Sequence, residues 1–261
     1  MKILVFIKQV PDTDDVKLDP KTGNLRRDGV KSMLNPLDAN AIEAALQLRK
    51  KHGGSVSVIT MGLPQATDVL KKALGMGCDE AFLLSDRPFG GADTLATSYV
   101  LAKAAEKIGD YDLLLFGRHA VDGDTAQTGP AAAAWLGIPQ ITFASSIAVE
   151  DGWVICDRDL GDKKQKVRAK LPAAVCVCGE INKPRYATPM NIMKAQKKPR
   201  TTWTAADLGC DLSKTGSAGS PSCTKRVFEP PKKSSSAVFF EGETADKAKA
   251  LVAALKADHV I

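Results

Sequence analysis

The first two-thirds of the sequence alternates short apolar runs with amphipathic stretches, and this alternation constrains the fold more than any other feature. The apolar runs are rich in Val, Ile, Leu and Phe, which is typical of strands buried on both faces. The stretches between them have helical spacing of apolar residues and Pro or Gly near their ends. The predicted strands are 2–8, 55–62, 80–86, 111–117 and 138–150, and the predicted helices are 35–54, 64–75, 92–109 and 131–137.

Four successive strand–helix units favour an α/β fold with a doubly wound, mostly parallel sheet covered by helices on both faces. The last third of the sequence reads differently. Residues 152–171 predict a β-hairpin around Gly161, and 172–180 predict one more buried strand. Residues 200–243 lose periodicity and are rich in Ser, Gly, Pro and Lys, after which an amphipathic helix follows. This tail is either an arm that lies on another chain or a linker whose helix returns to its own core.

Composition excludes several classes of protein. Lys and Arg number 36 against 30 Asp and Glu, and the net charge of +6 is spread along the chain, while aromatic residues make up only 5%. A nucleic-acid-binding protein usually shows a denser basic face and stacking aromatics, so no nucleic-acid partner is expected. The N-terminal apolar run is too short for a signal peptide and no run of 18 apolar residues occurs, so we expect a cytoplasmic protein without membrane insertion.

The six cysteines form no zinc-binding pattern. They lie at positions 78, 156, 176, 178, 210 and 223, and no CxxC spacing occurs among them. Cys176 and Cys178 lie in a predicted strand with one residue between them, a spacing unlike that of structural zinc sites. We therefore expect buried, reduced thiols and no metal site.

A ligand site is expected at the carboxyl ends of the strands, where open parallel sheets bind their ligands. The richest strand end is AVDGDTAQTGP (120–130), which combines glycines, hydroxyls and two carboxylates without a nucleophile. Glycine backbone can approach a ligand closely, and a helix that begins near Asp124 or Thr125 would offer its N–H groups to an anion. Pro130 means that such a helix is kinked or starts later. No GxGxxG or GxxxxGK[ST] motif occurs, so an unusual nucleotide or dinucleotide site is predicted.

Four segments in order give the sequence a resemblance to the β subunit of electron transfer flavoproteins over nearly its whole length. They are VFIKQVPD (5–12), SMLNPLDANAIEAAL (32–46), FGRHAVDGDTAQTGP (116–130) and NKPRYATPMNIMKAQKK (182–198). The resemblance implies an adenine nucleotide α hydrolase-like or Rossmann-like domain that pairs with an FAD-carrying α subunit. The β subunit of that family holds either AMP with a structural role or a second FAD. In the bifurcating branch, the second FAD takes a hydride from NADH and passes electrons to ferredoxin or flavodoxin and, through the α-subunit FAD, to an acyl-CoA-type dehydrogenase.

The resemblance implies a set of cofactor-binding residues in this sequence. These residues are Phe6, Asn35, Pro36, Leu37, Asp38, Met61, Thr94, Gly117, Arg118, His119, Ala120, Val121, Asp122, Gly123, Asp124, Thr125, Ala126, Gln127 and Thr128. The AMP-type members are similar to DDDCNQTG at the positions where this sequence has DGDTAQTG. Gly123 stands where those members have a carboxylate, and its small size clears space beside a second phosphate. The segment FGGADTLATS (89–98) also resembles the FAD-type branch. The resemblance therefore favours FAD over AMP.

The run 185–194 resembles the loop with which the family docks on its dehydrogenase. It consists of Arg185, Tyr186, Ala187, Thr188, Pro189, Met190, Asn191, Ile192, Met193 and Lys194. Many members have a leucine where this sequence has Pro189, so Met190 is the expected apolar anchor. The resulting division of the chain is a nucleotide-binding core at 1–184, a recognition loop at 185–199 and an arm at 200–261 that packs on the α subunit. A stand-alone nucleotide-binding protein is the competing class.

Overall fold

Ten strands form one twisted sheet at the centre of the protein. The computed structural model describes residues 1–12, 31–222 and 237–261. The strands of the sheet are β1 (Lys2–Phe6), β4 (Ser55–Met61), β5 (Glu80–Leu84), β6 (Leu113–Gly117), β7 (Gln140–Ala144), β8 (Ala148–Glu150), β9 (Trp153–Asp159), β10 (Lys164–Lys170), β11 (Ala173–Val177) and β12 (Arg200–Trp203). Two further strands, β2 (Gln9–Pro11) and β3 (Ser32–Leu34), pair with each other outside it.

The strand order is β10-β9-β7-β11-β6-β1-β4-β5-β12, with β8 paired to β9. All pairs from β7 to β12 along this order are parallel, and the pairs that β9 makes are antiparallel. The predicted α/β fold with a mostly parallel sheet and a hairpin extension is therefore confirmed.

Helices cover both faces of the sheet. The helices of the unit that contains the sheet are α1 (Pro36–His52), α2 (Thr67–Met76), α3 (Thr94–Ile108), α4 (Thr128–Leu136) and α5 (Pro189–Ala195), and α6 (Thr244–Ala257) belongs to a separate unit. In β1, Ile3 and Val5 pack with α1 and α2 in one core, whereas Leu4 and Phe6 pack with α3 and α4 in the other. This alternation explains why β1 is apolar throughout, since each of its faces enters a different core.

Two predicted elements differ from the structure. The strand expected at 138–150 is divided into β7 and β8, because the chain turns at 145–147 so that β8 can pair with β9. The strand β12 lies in the stretch 200–243, where no strand was predicted. Its exposed polar residues conceal it in the sequence, but it extends the parallel sheet beside β5, and its Trp203 ring stacks on Phe82 at 4.5 Å.

The chain divides into two compact units, Met1–Arg226 and Val227–Ile261. The first contains the whole sheet. In the described part of the second, α6 has no buried residue, and Leu251 and Val252 are both exposed. Among the described helices, none is long and apolar enough to span a membrane.

Candidate functional site

A cavity of about 780 Å³ opens at the carboxyl ends of β1, β4 and β6. Its position is the one expected for a ligand site in an open parallel sheet, and its volume lies within the usual range for small-molecule pockets. The lining residues are Phe6, Ile7, Lys8, Asp38, Met61, Phe89, Gly91, Ala92, Asp93, Thr94, Thr97, Leu101, Phe116, Gly117, Arg118, His119, Ala120, Gly123, Asp124, Thr125, Ala126, Thr128, Gly129 and Ser222.

The floor of the cavity is aromatic. Phe6 ends β1 and Phe116 lies near the end of the neighbouring β6, and the parallel register pairs them directly. Their rings stack at 4.5 Å between centroids with planes only 4° apart. Both residues are buried, so this end of the sheet offers a rigid, flat, apolar base beneath the polar loops.

The first turn of α1 forms one wall. Asn35, which precedes the helix, is fully buried, and its Nδ2 donates to the His119 carbonyl at 2.9 Å. The Asn35 Oδ1 accepts a hydrogen bond from the Val121 N–H at 3.2 Å. Asn35 therefore ties the start of α1 to the loop after β6. Gly117 lies so close to this turn that a Cβ there would come within 2.7 Å of the Leu37 carbonyl carbon.

Asp38 is an unusual carboxyl group in this wall. Its Oδ2 accepts a hydrogen bond from the Lys8 N–H at 2.7 Å. Burial raises the pKa of Asp38 to about 7, although hydrogen bonds from Asn35, Lys8 and Gly117 oppose the increase. A neutral carboxyl group adds no negative charge near an anionic ligand, so the electrostatic cost of this acid in the cavity depends on pH.

The loop after β6 is a compact turn over the cavity. The N–H groups of Gly123 and Asp124 both donate to the Ala120 carbonyl, at 3.2 and 2.8 Å. Asp124 and Ala126 have φ values of 46° and 54°, a left-handed conformation that non-glycine residues seldom adopt. Such backbone strain concentrates at ligand sites. A Cβ at Gly123 would meet nothing within 4 Å, so open space surrounds this residue.

Lys8 and His119, two side chains beside this loop, differ in whether they have a partner. Lys8 Nζ contacts both carboxylate oxygens of Asp122, at 2.7 and 2.8 Å. The His119 Nδ1 is buried and has no hydrogen-bond partner among the described residues, and Asp124 Oδ1, at 3.4 Å, lacks the alignment of a hydrogen bond. A buried polar atom without a partner is an expected contact point for a bound ligand.

The start of α4 supplies backbone donors to the cavity. The helix begins at Thr128, later than Asp124 or Thr125, and Pro130 therefore lies in the first turn, where its missing N–H costs nothing. Gln127 stands at the capping position but makes no side-chain capping hydrogen bond. The N–H groups of this turn thus remain available, and together with Arg118 on the lining they suit an anionic ligand.

The opposite wall is formed around the start of α3. Asp93 caps this helix, because its Oδ1 accepts hydrogen bonds from the N–H groups of Leu95 and Ala96 at 2.9 and 3.0 Å. Its Oδ2 accepts a hydrogen bond from the Ser222 hydroxyl at 2.8 Å. The N–H groups of Leu95 and Ala96 at the start of α3 are therefore already hydrogen-bonded, and this wall suits a neutral part of a ligand.

The structure separates the predicted cofactor-binding residues into two groups. Those that line the cavity are Phe6, Asp38, Met61, Thr94, Gly117, Arg118, His119, Ala120, Gly123, Asp124, Thr125, Ala126 and Thr128. The others are not among the lining residues; they are Asn35, Pro36, Leu37, Val121, Asp122 and Gln127. Sequence reasoning missed Phe116, Asp93 and Ser222. The cap residue Asp93 had a local signal, since it precedes a predicted helix, but nothing local connects Ser222 to this wall.

The run 185–194 forms an exposed segment that ends in α5. Tyr186, Met190 and Met193 are exposed by 90%, 64% and 73%, so apolar side chains point into solvent together. Arg185 is different, because its guanidinium makes two hydrogen bonds, at 2.7 and 2.9 Å, to the buried carboxylate of Glu43 on α1. Arg185 therefore anchors the segment to the core.

The cysteines agree with the expectation of reduced thiols in the part of the chain that is described. Cys78, Cys156, Cys176 and Cys178 are buried and Cys210 is half-buried, and all five are unpaired. Burial raises the pKa of Cys78, Cys156 and Cys176 to about 12. Cys223 lies outside the described residues. The ranges 1–12, 31–222 and 237–261 contain no cluster of metal-binding side chains.

Comparison with known proteins identifies the family. The electron transfer flavoprotein domain matches residues 22–208. The caffeyl-CoA reductase–Etf complex subunit CarD of Acetobacterium woodii is 45% identical over the whole of both chains. The electron transfer flavoprotein subunit beta of Thermoanaerobacterium thermosaccharolyticum is also 45% identical over the whole of both chains. Protein FixA of Azorhizobium caulinodans is 41% identical, covering 97% of this chain and 93% of its own. The chain belongs to the electron transfer flavoprotein family, as a β subunit that acts in electron transfer.

Proposed function

We propose that this chain pairs with an electron transfer flavoprotein α subunit, holds FAD in the cavity at the strand ends, and bifurcates electrons that NADH supplies. The observation that carries the proposal is the shape of the cavity. It joins a donor-rich end at the β6 loop, which suits an anion, to a wall at α3 that suits a neutral group, over a single volume of about 780 Å³. A dinucleotide cofactor has the same two parts, a diphosphate with adenosine and a flat flavin ring.

The diphosphate is assigned to the start of α4. Backbone donors from the first turn face the cavity there, and Thr125 and Thr128 add hydroxyl groups. Arg118 provides a positive charge on the lining, whereas the Lys8 ammonium is paired with Asp122. Helix N-termini and guanidinium groups both bind phosphate oxygens strongly, so this end of the cavity suits two phosphates in sequence.

The flavin ring is assigned to the α3 side of the cavity. Thr94 is the first residue of α3 and lines the wall with Thr97 and the apolar side chains of Phe89 and Leu101. Because the Asp93 carboxylate already accepts hydrogen bonds from the N–H groups at the start of α3, these groups are not free to bind a phosphate. Thr94 is therefore the proposed flavin contact.

Gly123 favours FAD over AMP. A side chain at this position would extend into open space beside the diphosphate end. A carboxylate there would repel a second phosphate and occupy part of the space, whereas glycine leaves the cavity accessible to a longer ligand. When bound, FAD supplies two-electron acceptance from NADH and release of single electrons, one to ferredoxin or flavodoxin and one through the α-subunit FAD.

The exposed segment 185–194 is assigned to docking on an acyl-CoA-type dehydrogenase. Its Tyr186, Met190 and Met193 present an apolar surface of the kind that marks protein–protein contacts. A relative that is a subunit of a caffeyl-CoA reductase complex supports a partner that acts on a CoA thioester. The exposed apolar residues of α6 support an arm, within 200–261, that packs on the α subunit.

A coupled assay tests the proposed function. The full chain is purified with its α subunit and mixed anaerobically with NADH, ferredoxin and an acyl-CoA-type dehydrogenase with its substrate. Bifurcation requires that ferredoxin is reduced only when the dehydrogenase substrate is present, and that each NADH delivers one electron to each acceptor. An AMP-binding β subunit lacks the flavin that takes the hydride from NADH, so failure of NADH to reduce either acceptor would instead assign the chain to that kind.

A further inference from the structure

Strand β7 contains a bulge next to Arg118, which lines the cavity. Along the pairing with β11, strand β7 advances by three residues while β11 advances by two, so Thr142 and Phe143 stand opposite a single residue. Bulges of this kind re-aim a side chain and occur frequently next to active sites.

Phe143 adopts a left-handed backbone conformation in this bulge, with φ of 57°. Glycine is the usual residue at such a position, and a bulky aromatic side chain there stores strain. The bulge is held from β9, because the Arg158 guanidinium donates to the Thr142 carbonyl at 2.8 Å and to the Thr142 hydroxyl at 2.9 Å. The strained conformation is therefore fixed by its surroundings.

The strained backbone places the Phe143 ring against Arg118. The Arg118 Cζ lies 4.9 Å from the ring centroid, which is a cation–π distance. The Arg118 N–H donates to the Val177 carbonyl at 2.8 Å, so the backbone of this residue is fixed as well. Arg118 is exposed and lines the phosphate end of the cavity. The Arg118 side chain also contacts the Cys178 thiol, and without the ring it would sample more directions in solvent.

Phe143 has little to do with core packing. It is half-buried and belongs to neither hydrophobic core of the described residues. A phenylalanine that is strained, held in place and outside the core has another role, and the Arg118 guanidinium lies over its ring.

We propose that Phe143 is a positioning residue, which holds the Arg118 guanidinium at the edge of the cavity in the orientation that binds a phosphate of the nucleotide. The proposal rests on the proposed nucleotide site and adds to it the residue that orders its cation. Because an ordered guanidinium loses less conformational entropy when the ligand binds, deleting the ring weakens binding without removing a ligand contact.

The β9–β10 hairpin provides a matched control. Arg168 lies 4.7 Å from the ring centroid of Trp153, which is the same kind of pair on the same sheet, and neither residue lines the cavity. Trp153→Leu thus removes an equivalent cation–π contact away from the site.

The test measures dissociation constants of FAD and AMP for the full chain, purified with its α subunit and stripped of the β-site nucleotide. Phe143→Leu weakens binding by about two- to five-fold, which corresponds to the loss of one partly exposed cation–π contact. Phe143→Tyr keeps the ring and binds as the wild type does, and Trp153→Leu leaves binding unchanged. In an Arg118→Gln background, Phe143→Leu has no further effect.

A second variant separates the ring from the backbone. Phe143→Gly removes the ring and relieves the left-handed strain, so this variant folds at least as stably as the wild type and still binds the nucleotide more weakly. Wild-type affinity in Phe143→Gly or Phe143→Leu, or an equal loss in the Arg118→Gln background, overturns the role of Phe143 while leaving the nucleotide site intact. A wild-type chain that binds neither FAD nor AMP overturns the proposed function as well.

Discussion

Gly117 is predicted to be required by the contact between β6 and α1. A Cβ at this position would lie 2.7 Å from the Leu37 carbonyl carbon and 2.8 Å from the Asp38 nitrogen, whereas ordinary contact begins at 3.4 Å. Gly117→Ala therefore pushes the first turn of α1 away by roughly 0.7 Å, in a region fixed by hydrogen bonds. Overpacking of this size costs about 1–3 kcal/mol in the free energy of unfolding.

The matched control is Gly123, six residues further along the same loop. Its Cβ would meet nothing within 4 Å, so Gly123→Ala changes stability by less than about 0.5 kcal/mol. Urea unfolding of the full chain with its α subunit, at one fixed protein concentration, compares the two variants with the wild type. Equal midpoints for Gly117→Ala and the wild type, or a larger loss for Gly123→Ala, would refute the steric reasoning.

Three further predictions follow from charge and exposure. Folding raises the pKa of Asp38 from 3.8 to about 7, so between these pH values the native state holds a proton that the unfolded chain has released. The free energy of unfolding therefore falls as pH rises through this range. In Asp38→Asn, the urea midpoint should lack this contribution to the pH dependence. Arg185→Gln leaves the Glu43 carboxylate buried without its partner and lowers the free energy of unfolding by about 2 kcal/mol. Burial raises the pKa of Glu43, but the Arg185 side chain outweighs this effect and lowers it. The loss is therefore full at neutral pH and smaller in acid, and urea unfolding at several pH values measures it. Replacing Met190 and Met193 together by Ser slows electron transfer to the dehydrogenase, while stopped-flow NADH oxidation with an artificial acceptor stays unchanged; equal loss of both rates would argue against docking.

The central strands could be predicted from sequence because each is buried on both faces. β1, β6 and β11 consist almost entirely of apolar residues, as expected for strands whose two faces both enter a core. Helix α1 was equally clear, since Pro36 begins it and Gly53 follows it with a φ of 72°. These signals lie within the elements themselves, so a single sequence displays them.

The edge of the sheet and the far wall of the cavity could not be predicted in this way. β12 is a short, mostly exposed strand whose assignment depends on β5, more than a hundred residues earlier in the chain. Ser222 reaches Asp93 across a similar separation. Their positions follow from tertiary pairing, which a single sequence does not display.

The bulge at Phe143 was hidden for a related reason. The left-handed conformation of Phe143 contradicts the local preference of phenylalanine, and it exists because β9 and β11 together determine the path of β7. Local preference is expected to fail at functional or strained sites, and Phe143 contacts Arg118, which lines the cavity.

The central claim is that the cavity at the strand ends holds FAD, and the most direct measurement is the number of flavins in the purified αβ complex. Denaturation followed by chromatographic quantification of FAD and AMP, relative to protein, decides between the two cofactors. We expect two FAD per heterodimer and no AMP in the wild-type complex, with one FAD remaining in Gly123→Asp. One FAD and one AMP in the wild-type complex would contradict this claim.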